Sequence, residues 1–118
     1  MLSLLVLISC NSDKKKHLIN TWMVTDIKTT TKLQDTVKTK MLANSEMVFT
    51  EEGRYRSAGG IGVDEGTYTL DKDEKNLSTI SSAGKGSSVY VIDELSEDEL
   101  VLKNNGNTVT CKARNAKN

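Results

Sequence analysis

Short segments with strand-like patterning alternate with short polar turns through most of this sequence, and this alternation constrains the fold more than any other feature. The turns are rich in glycine, asparagine and acidic residues, and Asn105-Gly106 is the strongest short hairpin signal. Such a series predicts an all-β domain, an antiparallel up-and-down meander of about seven to nine strands that forms a small barrel or half-barrel. The predicted strands span residues 22–29, 46–50, 54–57, 63–70, 77–82, 88–93, 100–103 and 108–114.

One segment between the first two predicted strands is ambiguous. Leu33, Val37 and Met41 recur at intervals of four, a spacing that fits one face of a helix and also one face of a strand. The threonines around them favour extended structure, whereas the length of the segment permits a helix. The pattern therefore leaves residues 33–43 open.

The composition agrees with a single β domain. A chain of 118 residues is long enough for one domain with a modest core. Threonine and serine, which suit a half-solvated pleated surface, are plentiful, and proline is absent. Because 16 basic residues balance 16 acidic ones, no global field favours nucleic acid, and no nucleic-acid partner is predicted.

The N-terminal stretch has the features of an export signal. Residues 2–9 are uncharged and almost entirely apolar, and they are too few to cross a bilayer as a helix, which needs about 20 residues. Leu7-Ile8-Ser9-Cys10 resembles the lipobox of bacterial lipoproteins, which implies cleavage before Cys10 and lipidation of its thiol. No basic residues precede the apolar run, so we expect a signal that begins before Met1. The alternative is a buried N-terminal strand in which Cys10 is an ordinary core residue.

These features divide the chain into three parts. Residues 1–9 are predicted to be a lipoprotein-type signal peptide, residues 10–17 a lipidated flexible tether, and residues 18–118 the β domain. The predicted location is the bacterial cell envelope, with a lipid anchor in the outer membrane. Surface-exported lipoproteins of some bacteria carry acidic residues just after the cysteine, whereas three lysines follow Asp13 here, so the periplasmic leaflet is preferred.

The second cysteine lies in the last predicted strand. Val109, Cys111 and Ala113 share one strand face, so Cys111 is expected to be a core residue. A disulfide with Cys10 is the alternative, and lipidation of Cys10 would exclude it.

Several short motifs occur in an order found in a known family. Trp22 opens the first strand, Phe49-Thr-Glu-Glu-Gly53-Arg-Tyr55 follows, and Gly66-Thr-Tyr68-Thr-Leu70 comes next. The segment from Tyr90 to Leu102 and a threonine-rich strand complete the series. Over residues 18–114 the chain resembles the lipocalin-like domains of small bacterial lipoproteins, which are common in the Bacteroides group.

The resemblance implies a barrel and no established activity. Two positions depart from the usual pattern: Asn20 stands where a glycine usually precedes the tryptophan, and Tyr68 stands where tryptophan is common. Trp22 is expected to close one end of the barrel. Gly53 allows the positive φ of a tight hairpin, which would bring Phe49 and Tyr55 together on paired strands.

The sequence offers little for catalysis. His17 is the one histidine, so a histidine-based triad or a multi-histidine metal site is not available. Gly84-Lys85-Gly86 does not complete a phosphate-binding loop, because glycine stands where Ser or Thr is needed and Thr79 stands where the first glycine is needed. We therefore predict that the protein is not an enzyme and carries no cofactor and no metal.

Two classes of function are left. The first is a binding module that holds a small apolar ligand in the mouth of the barrel, although strand alternation cannot place every candidate aromatic inside. The second is a structural or interaction module with a filled barrel that contacts another envelope protein. A cavity well above about 300 Å³ would favour the first class. The candidate ligand-binding residues are Phe49, Tyr55, Tyr68 and Tyr90.

Overall fold

A computed structural model describes residues 14–114, which form a closed barrel of eight antiparallel strands. Each strand pairs with its neighbour in sequence, and the last pairs with the first. The predicted all-β meander is thus confirmed, with eight strands and full closure. The strands are β1 (Asn20–Lys28), β2 (Glu46–Phe49), β3 (Arg54–Ala58), β4 (Asp64–Leu70), β5 (Asn76–Ser81), β6 (Ser87–Leu95), β7 (Glu99–Asn104) and β8 (Asn107–Ala113).

Alternation along the strands decides which side chains fill the barrel. In β5, Leu77 and Thr79 are buried, whereas Ile80 is exposed on the outer face. In β4, Gly66 and Tyr68 point inward, between exposed neighbours. Because side chains alternate with a period of two, one inward residue fixes the orientation of the whole strand.

Two β-bulges interrupt this alternation. In β1 the register shifts between Val24 and Asp26, and in β6 it shifts between Ile92 and Glu94. A bulge inserts one extra residue and re-aims the side chains that follow it. As a result Val24 and Ile27, three positions apart, are both buried.

The barrel closes along the seam between β1 and β8. Trp22 is paired with Ala113 at one end of this seam, and Lys28 is paired with Thr108 at the other. The seam therefore joins the first strand of the chain to the last.

The interior is densely packed at one end of the barrel, which we call the closed end. The rings of Phe49 and Tyr68 meet edge to face there, with centroids 5.2 Å apart and an interplanar angle of 83°. The indole of Trp22 is fully buried. Seven core residues have essentially no exposed surface: Leu18, Trp22, Phe49, Leu77, Leu100, Leu102 and Cys111.

Residues 14–18 form a short helical stretch, α1, against the closed end. The sequence predicts a flexible tether up to residue 17, whereas the structure has a helical turn there and buries Leu18. The buried indole of Trp22 needs a hydrogen-bond acceptor, and its Nε1 donates to the carbonyl oxygen of Leu18 at 2.9 Å. This bond holds the chain against the barrel before β1 begins. The predicted signal peptide and Cys10 lie outside the described residues.

The segment that the sequence leaves open contains a helix, α2 (Asp35–Leu42), at the opposite, open end of the barrel. None of its residues is fully buried, and no side chain caps its N-terminus. Its position depends on contacts with the rest of the barrel, such as the ion pair of Lys38 with Asp26 on β1, at 2.7 Å. Neither helix in residues 14–114 has the length and apolar character needed to span a bilayer.

Candidate functional site

The open end of the barrel holds a cavity of about 480 Å³. This volume lies within the range of small-molecule sites, about 300–1,000 Å³. The buried side chains of Trp22, Phe49 and Tyr68 at the closed end do not line this cavity. Its walls come from β1 to β8 and from the loops at the open end.

One wall of the cavity is apolar. Ile27 on β1 and Met47 on β2 stand beside Leu102 on β7 and Val109 on β8. These four strands are neighbours across the β1–β8 seam, so their inward side chains form one continuous surface. Met41 of α2 extends this surface to the rim. The wall can contact the hydrocarbon part of a ligand and exclude water from it.

The opposite wall, on β3 to β6, is polar and centres on a carboxylate. The Tyr55 hydroxyl donates a 2.6 Å hydrogen bond to Asp64 Oδ2, and the Ser81 hydroxyl donates a 2.7 Å bond to Asp64 Oδ1. These bonds, the one from Tyr55 first, hold the pKa of Asp64 below its ordinary value of 3.8. Desolvation and the bond to Asp64 raise the pKa of Tyr55 to about 12. At neutral pH the wall therefore presents an ionised Asp64 and a neutral Tyr55.

The rim of the cavity is built from α2 and the loop between β3 and β4. The buried Ser45 hydroxyl donates to the Met41 carbonyl oxygen at 2.6 Å and accepts a bond from the Ile61 amide at 3.0 Å. The Gly60 amide donates to the Ala43 carbonyl at 2.9 Å. A Cβ on Gly60 would lie 1.7 Å from a helix carbonyl oxygen, so only glycine allows this approach. The C-terminal end of α2 is thereby fixed over the mouth.

A lysine stands at the other side of the rim, in the turn between β5 and β6. Lys85 lies between Gly84 and Gly86, both of which have positive φ. Its ammonium group donates to the Val63 carbonyl oxygen. Lys85 is exposed, whereas Asp64 is half-buried. The cavity thus has an anionic group in its wall and a cationic group at its edge.

Comparison with known proteins identifies the family. The family model for the lipocalin-like domain matches residues 18–102. The chain belongs to the lipocalin-like domain family. The resemblance predicted from the motifs around Trp22, Phe49 and Tyr68 is therefore confirmed. No curated protein matches the chain.

Solved structures of proteins from Bacteroides species share this barrel at low sequence identity. A lipocalin-like protein from Bacteroides uniformis has 15% identity and a TM-score of 0.61, over 82% of this chain and 98% of that one. An uncharacterized protein from Bacteroides eggerthii has 13% identity and a TM-score of 0.60, over 81% and 98%. A DUF4847 family protein from Bacteroides vulgatus has 11% identity and a TM-score of 0.58, over 89% and 99%. At these identities the likeness establishes the fold alone.

The four candidate ligand-binding aromatics of this lipocalin-like domain fall into two pairs. Tyr55 and Tyr90 line the cavity. Phe49 and Tyr68 pack against each other at the closed end and do not line it. The Tyr68 hydroxyl donates to the Thr50 carbonyl oxygen at 2.6 Å, so its polar end is already satisfied within the fold.

Sequence reasoning did not select the polar centre of the site. Asp64 opens β4 and shares its inward face with Gly66 and Tyr68, so strand alternation alone could have placed it inside. Thr79 lines the same wall and is within hydrogen-bonding reach of the Tyr55 phenol. The contribution of Met41 had no such signal, because it depends on where α2 lies.

Among the described residues, the lining of the cavity contains one acidic side chain, Asp64, and no histidine or cysteine. Among residues 14–114, no three His, Cys, Asp or Glu side chains are grouped so that they could hold a metal ion. His17 belongs to α1 and is not among the residues that line the cavity. An apolar wall facing a hydrogen-bonding wall suits a molecule with one apolar part and one polar part.

Proposed function

We propose that this lipocalin-like domain is a non-catalytic module that binds a small, largely apolar molecule in its open-end cavity. The observation that carries the proposal is the cavity of about 480 Å³, one wall of which is apolar. This volume exceeds the value of about 300 Å³ that separates a binding barrel from a filled one. The apolar wall provides the driving force for binding, at about 25 cal/mol per Å² of apolar surface removed from water.

The state of the polar wall supports binding over catalysis. The Tyr55 and Ser81 hydroxyls both donate to the Asp64 carboxylate, and because the pKa of Asp64 is held below 3.8, this carboxylate is too weak a base to deprotonate either hydroxyl at neutral pH. The pKa of Tyr55, raised to about 12, makes its phenol a poor proton donor or acceptor near neutral pH. These groups are suited to orienting a ligand.

A contact with an envelope protein is the second candidate, and one surface feature favours it. Ile80, Val89 and Val91 are 60%, 56% and 49% exposed on the outer face of β5 and β6. Exposed apolar side chains on adjacent strands are suited to contact with another protein. The filled barrel that this alternative requires disagrees with the open-end cavity, so binding within the barrel is the better supported function.

The proposal includes a lipid anchor at Cys10, which would hold the domain at the bacterial outer membrane on its periplasmic side. The lipobox-like Leu7-Ile8-Ser9-Cys10 supports the anchor. The position of α1 bears on the orientation of the domain, because Lys15 lies beside Gly53 and Asp71 at the closed end. An anchor that precedes α1 would leave the mouth of the cavity facing away from the bilayer.

Displacement of a fluorescent apolar dye tests binding in the cavity. We expect wild-type protein to bind the dye and Val109→Trp, which places an indole in the cavity, to lose most of that binding. Val89→Trp is the matched control, because Val89 lies on the outer face of β6 and its replacement should leave dye binding unchanged. Circular dichroism confirms that both variants fold. Equal dye binding by the two variants would rule out the open-end cavity as the site.

Metabolic labelling with a fatty acid tests the anchor. Cys10→Ser should abolish labelling and move the protein from the membrane fraction to the soluble envelope fraction. Cys111→Ser is the matched control, because Cys111 is fully buried in the core and its replacement should leave labelling intact. Labelling of the Cys10 variant at the wild-type level would refute lipidation at this residue.

A further inference from the structure

The hydrogen-bond donors around Asp64 on the polar wall of the cavity are already used within the protein. The hydroxyl hydrogens of Tyr55 and Ser81 are committed to Asp64. The Ser57 hydroxyl donates to the Gly62 carbonyl at 3.0 Å, and on the adjoining strand β7 the Asn104 amide nitrogen uses one of its two hydrogens for the Val89 carbonyl at 2.8 Å. The Tyr55 and Ser81 hydroxyls therefore cannot donate to a ligand while they are bound to Asp64.

The Asp64 carboxylate on the same wall can still accept hydrogen bonds from a ligand. Each carboxylate oxygen can accept about two hydrogen bonds, and each oxygen of Asp64 receives one from the protein. Asp64 lines the cavity and is half-buried, so an additional bond to it would be formed partly out of water. The cavity is also lined by groups that can either donate or accept and so do not discriminate between head groups, namely the hydroxyls of Thr79, Ser88 and Tyr90 and the amide of Asn107. Because an ionised carboxylate only accepts hydrogen bonds, Asp64 makes the wall favour ligand groups that donate them.

The cation at the rim does not reverse this preference. The Lys85 ammonium group is bound to the Val63 carbonyl and lies in an exposed turn. Solvent screens an exposed charge strongly, so its attraction for a ligand anion is small. A carboxylate that entered the cavity would meet the half-buried Asp64 with like charge, and the Tyr55 and Ser81 hydroxyls could not turn towards it without leaving Asp64.

From this arrangement we infer that the cavity selects amphiphiles whose polar head donates hydrogen bonds, a hydroxyl or an ammonium group, and discriminates against carboxylates. The head contacts Asp64 at the mouth, and the hydrocarbon body lies along the apolar wall formed by Ile27, Met47 and Val109. This inference rests on the proposed function, because it requires that the open-end cavity binds a ligand.

Probes of equal chain length isolate the effect of the head group on affinity. Decylamine, decanol, decyl methyl ether and decanoate share one hydrocarbon chain, and the ether accepts hydrogen bonds without donating them. In displacement of the apolar dye, we expect decanol to bind about 3- to 10-fold more tightly than the ether, because its hydroxyl adds a neutral hydrogen bond to Asp64. Decylamine adds a charge-assisted hydrogen bond and should bind about 10- to 100-fold more tightly than the ether. Decanoate should bind more weakly than the ether. This comparison uses wild-type protein alone.

Substitution of the carboxylate assigns the preference to one residue. In Asp64→Asn the advantage of decylamine over the ether should fall by about tenfold or more, and decanoate should bind more tightly than it does to wild type. Glu65→Gln is the matched control, since Glu65 is the next residue of β4, is exposed outside the barrel and loses the same charge. It should leave all four affinities unchanged.

The outcomes separate the inference from the proposed function. If neither the dye nor any of the probes binds in a manner sensitive to Val109→Trp, the proposed function itself fails. If the probes bind in the cavity but decylamine and the ether have equal affinities, the inference is overturned and the proposed function stands. Tightest binding by decanoate, lost in Lys85→Gln, would also overturn it, because recognition would then belong to the rim cation.

Discussion

The two pairs of aromatic residues should contribute differently to the free energy of unfolding, and a comparison of Phe49→Ala with Tyr90→Ala measures the difference. Phe49 is 1% exposed and packs edge to face on Tyr68 at the closed end. Tyr90 lines the open-end cavity and is half-buried. Truncation of Phe49 opens a void in a closed core, whereas truncation of Tyr90 enlarges a space that already exists.

The magnitudes follow from burial. Replacing a core phenylalanine by alanine costs about 3–5 kcal/mol, and the lost edge-to-face pair contributes about 0.5–1.5 kcal/mol of such a total. Full burial of a large apolar side chain contributes about 1.5–3 kcal/mol. Because Tyr90 is only half-buried beside an open cavity, Tyr90→Ala should lower the free energy of unfolding by about half of that, or about 1 kcal/mol. A domain of this size is stable by about 5–15 kcal/mol. Phe49→Ala therefore removes a large share of the stability and lowers Tm by about 10–25 °C, against about 5 °C for Tyr90→Ala.

Urea unfolding followed by tryptophan fluorescence measures both changes, because Trp22 is the single tryptophan and is fully buried. Far-ultraviolet circular dichroism provides a second probe that does not depend on the surroundings of the indole. Dye binding should survive in refolded Phe49→Ala at low temperature and weaken in Tyr90→Ala. The placement of the two pairs would be wrong if both variants lost equal free energies of unfolding at unchanged m-values.

Three further outcomes follow from individual contacts. Gly60→Ala should lower the free energy of unfolding by more than 1–2 kcal/mol, because its Cβ would lie 1.7 Å from the Lys40 carbonyl oxygen; a thermal melt with an unchanged midpoint would contradict that close approach. Lys38→Met should shift Tm by only a few degrees, since an exposed ion pair contributes about 0.2–1 kcal/mol, and differential scanning calorimetry would reveal a larger role. In a Cys10→Ser background, Cys111 should resist iodoacetamide at pH 8 until urea unfolds the barrel, because burial raises the pKa of its thiol to about 12. Rapid labelling of the native protein would disprove the burial of Cys111.

Much of the fold could be predicted from the sequence because its determinants are local. Glycine and asparagine residues mark the hairpins, and alternation within each strand gives its inward face, as in the segment around Tyr68. The helix α2 could not be assigned in this way, because spacing by four fits both structures. It is fixed by distant contacts, such as the Ser45 hydroxyl with the Ile61 amide and the Gly60 amide with the Ala43 carbonyl.

The site was only half predictable, for a related reason. Alternation tells which face of a strand a residue occupies, but not its height along the barrel axis. Phe49 and Tyr55 are directly opposite each other on β2 and β3, yet one ring packs at the closed end and the other reaches Asp64 at the open end. Height depends on the stagger of all eight strands and on bulges such as the one between Ile92 and Glu94. These are properties of the closed barrel, and no single segment contains them.

The seam between β1 and β8 also sets the order of events during synthesis. The local hairpins can form as soon as their residues emerge, but the partner of Trp22 across the seam is Ala113, so closure waits for almost the entire chain. Joining such distant segments carries the largest loop-closure entropy in the domain, and folding should be slow beside that of its isolated hairpins. Until then β1 and β7 present unpaired edges, which can associate with other chains. A chain released before residue 107 would keep those edges permanently, so translational truncation should cause aggregation even though most of the strands are present.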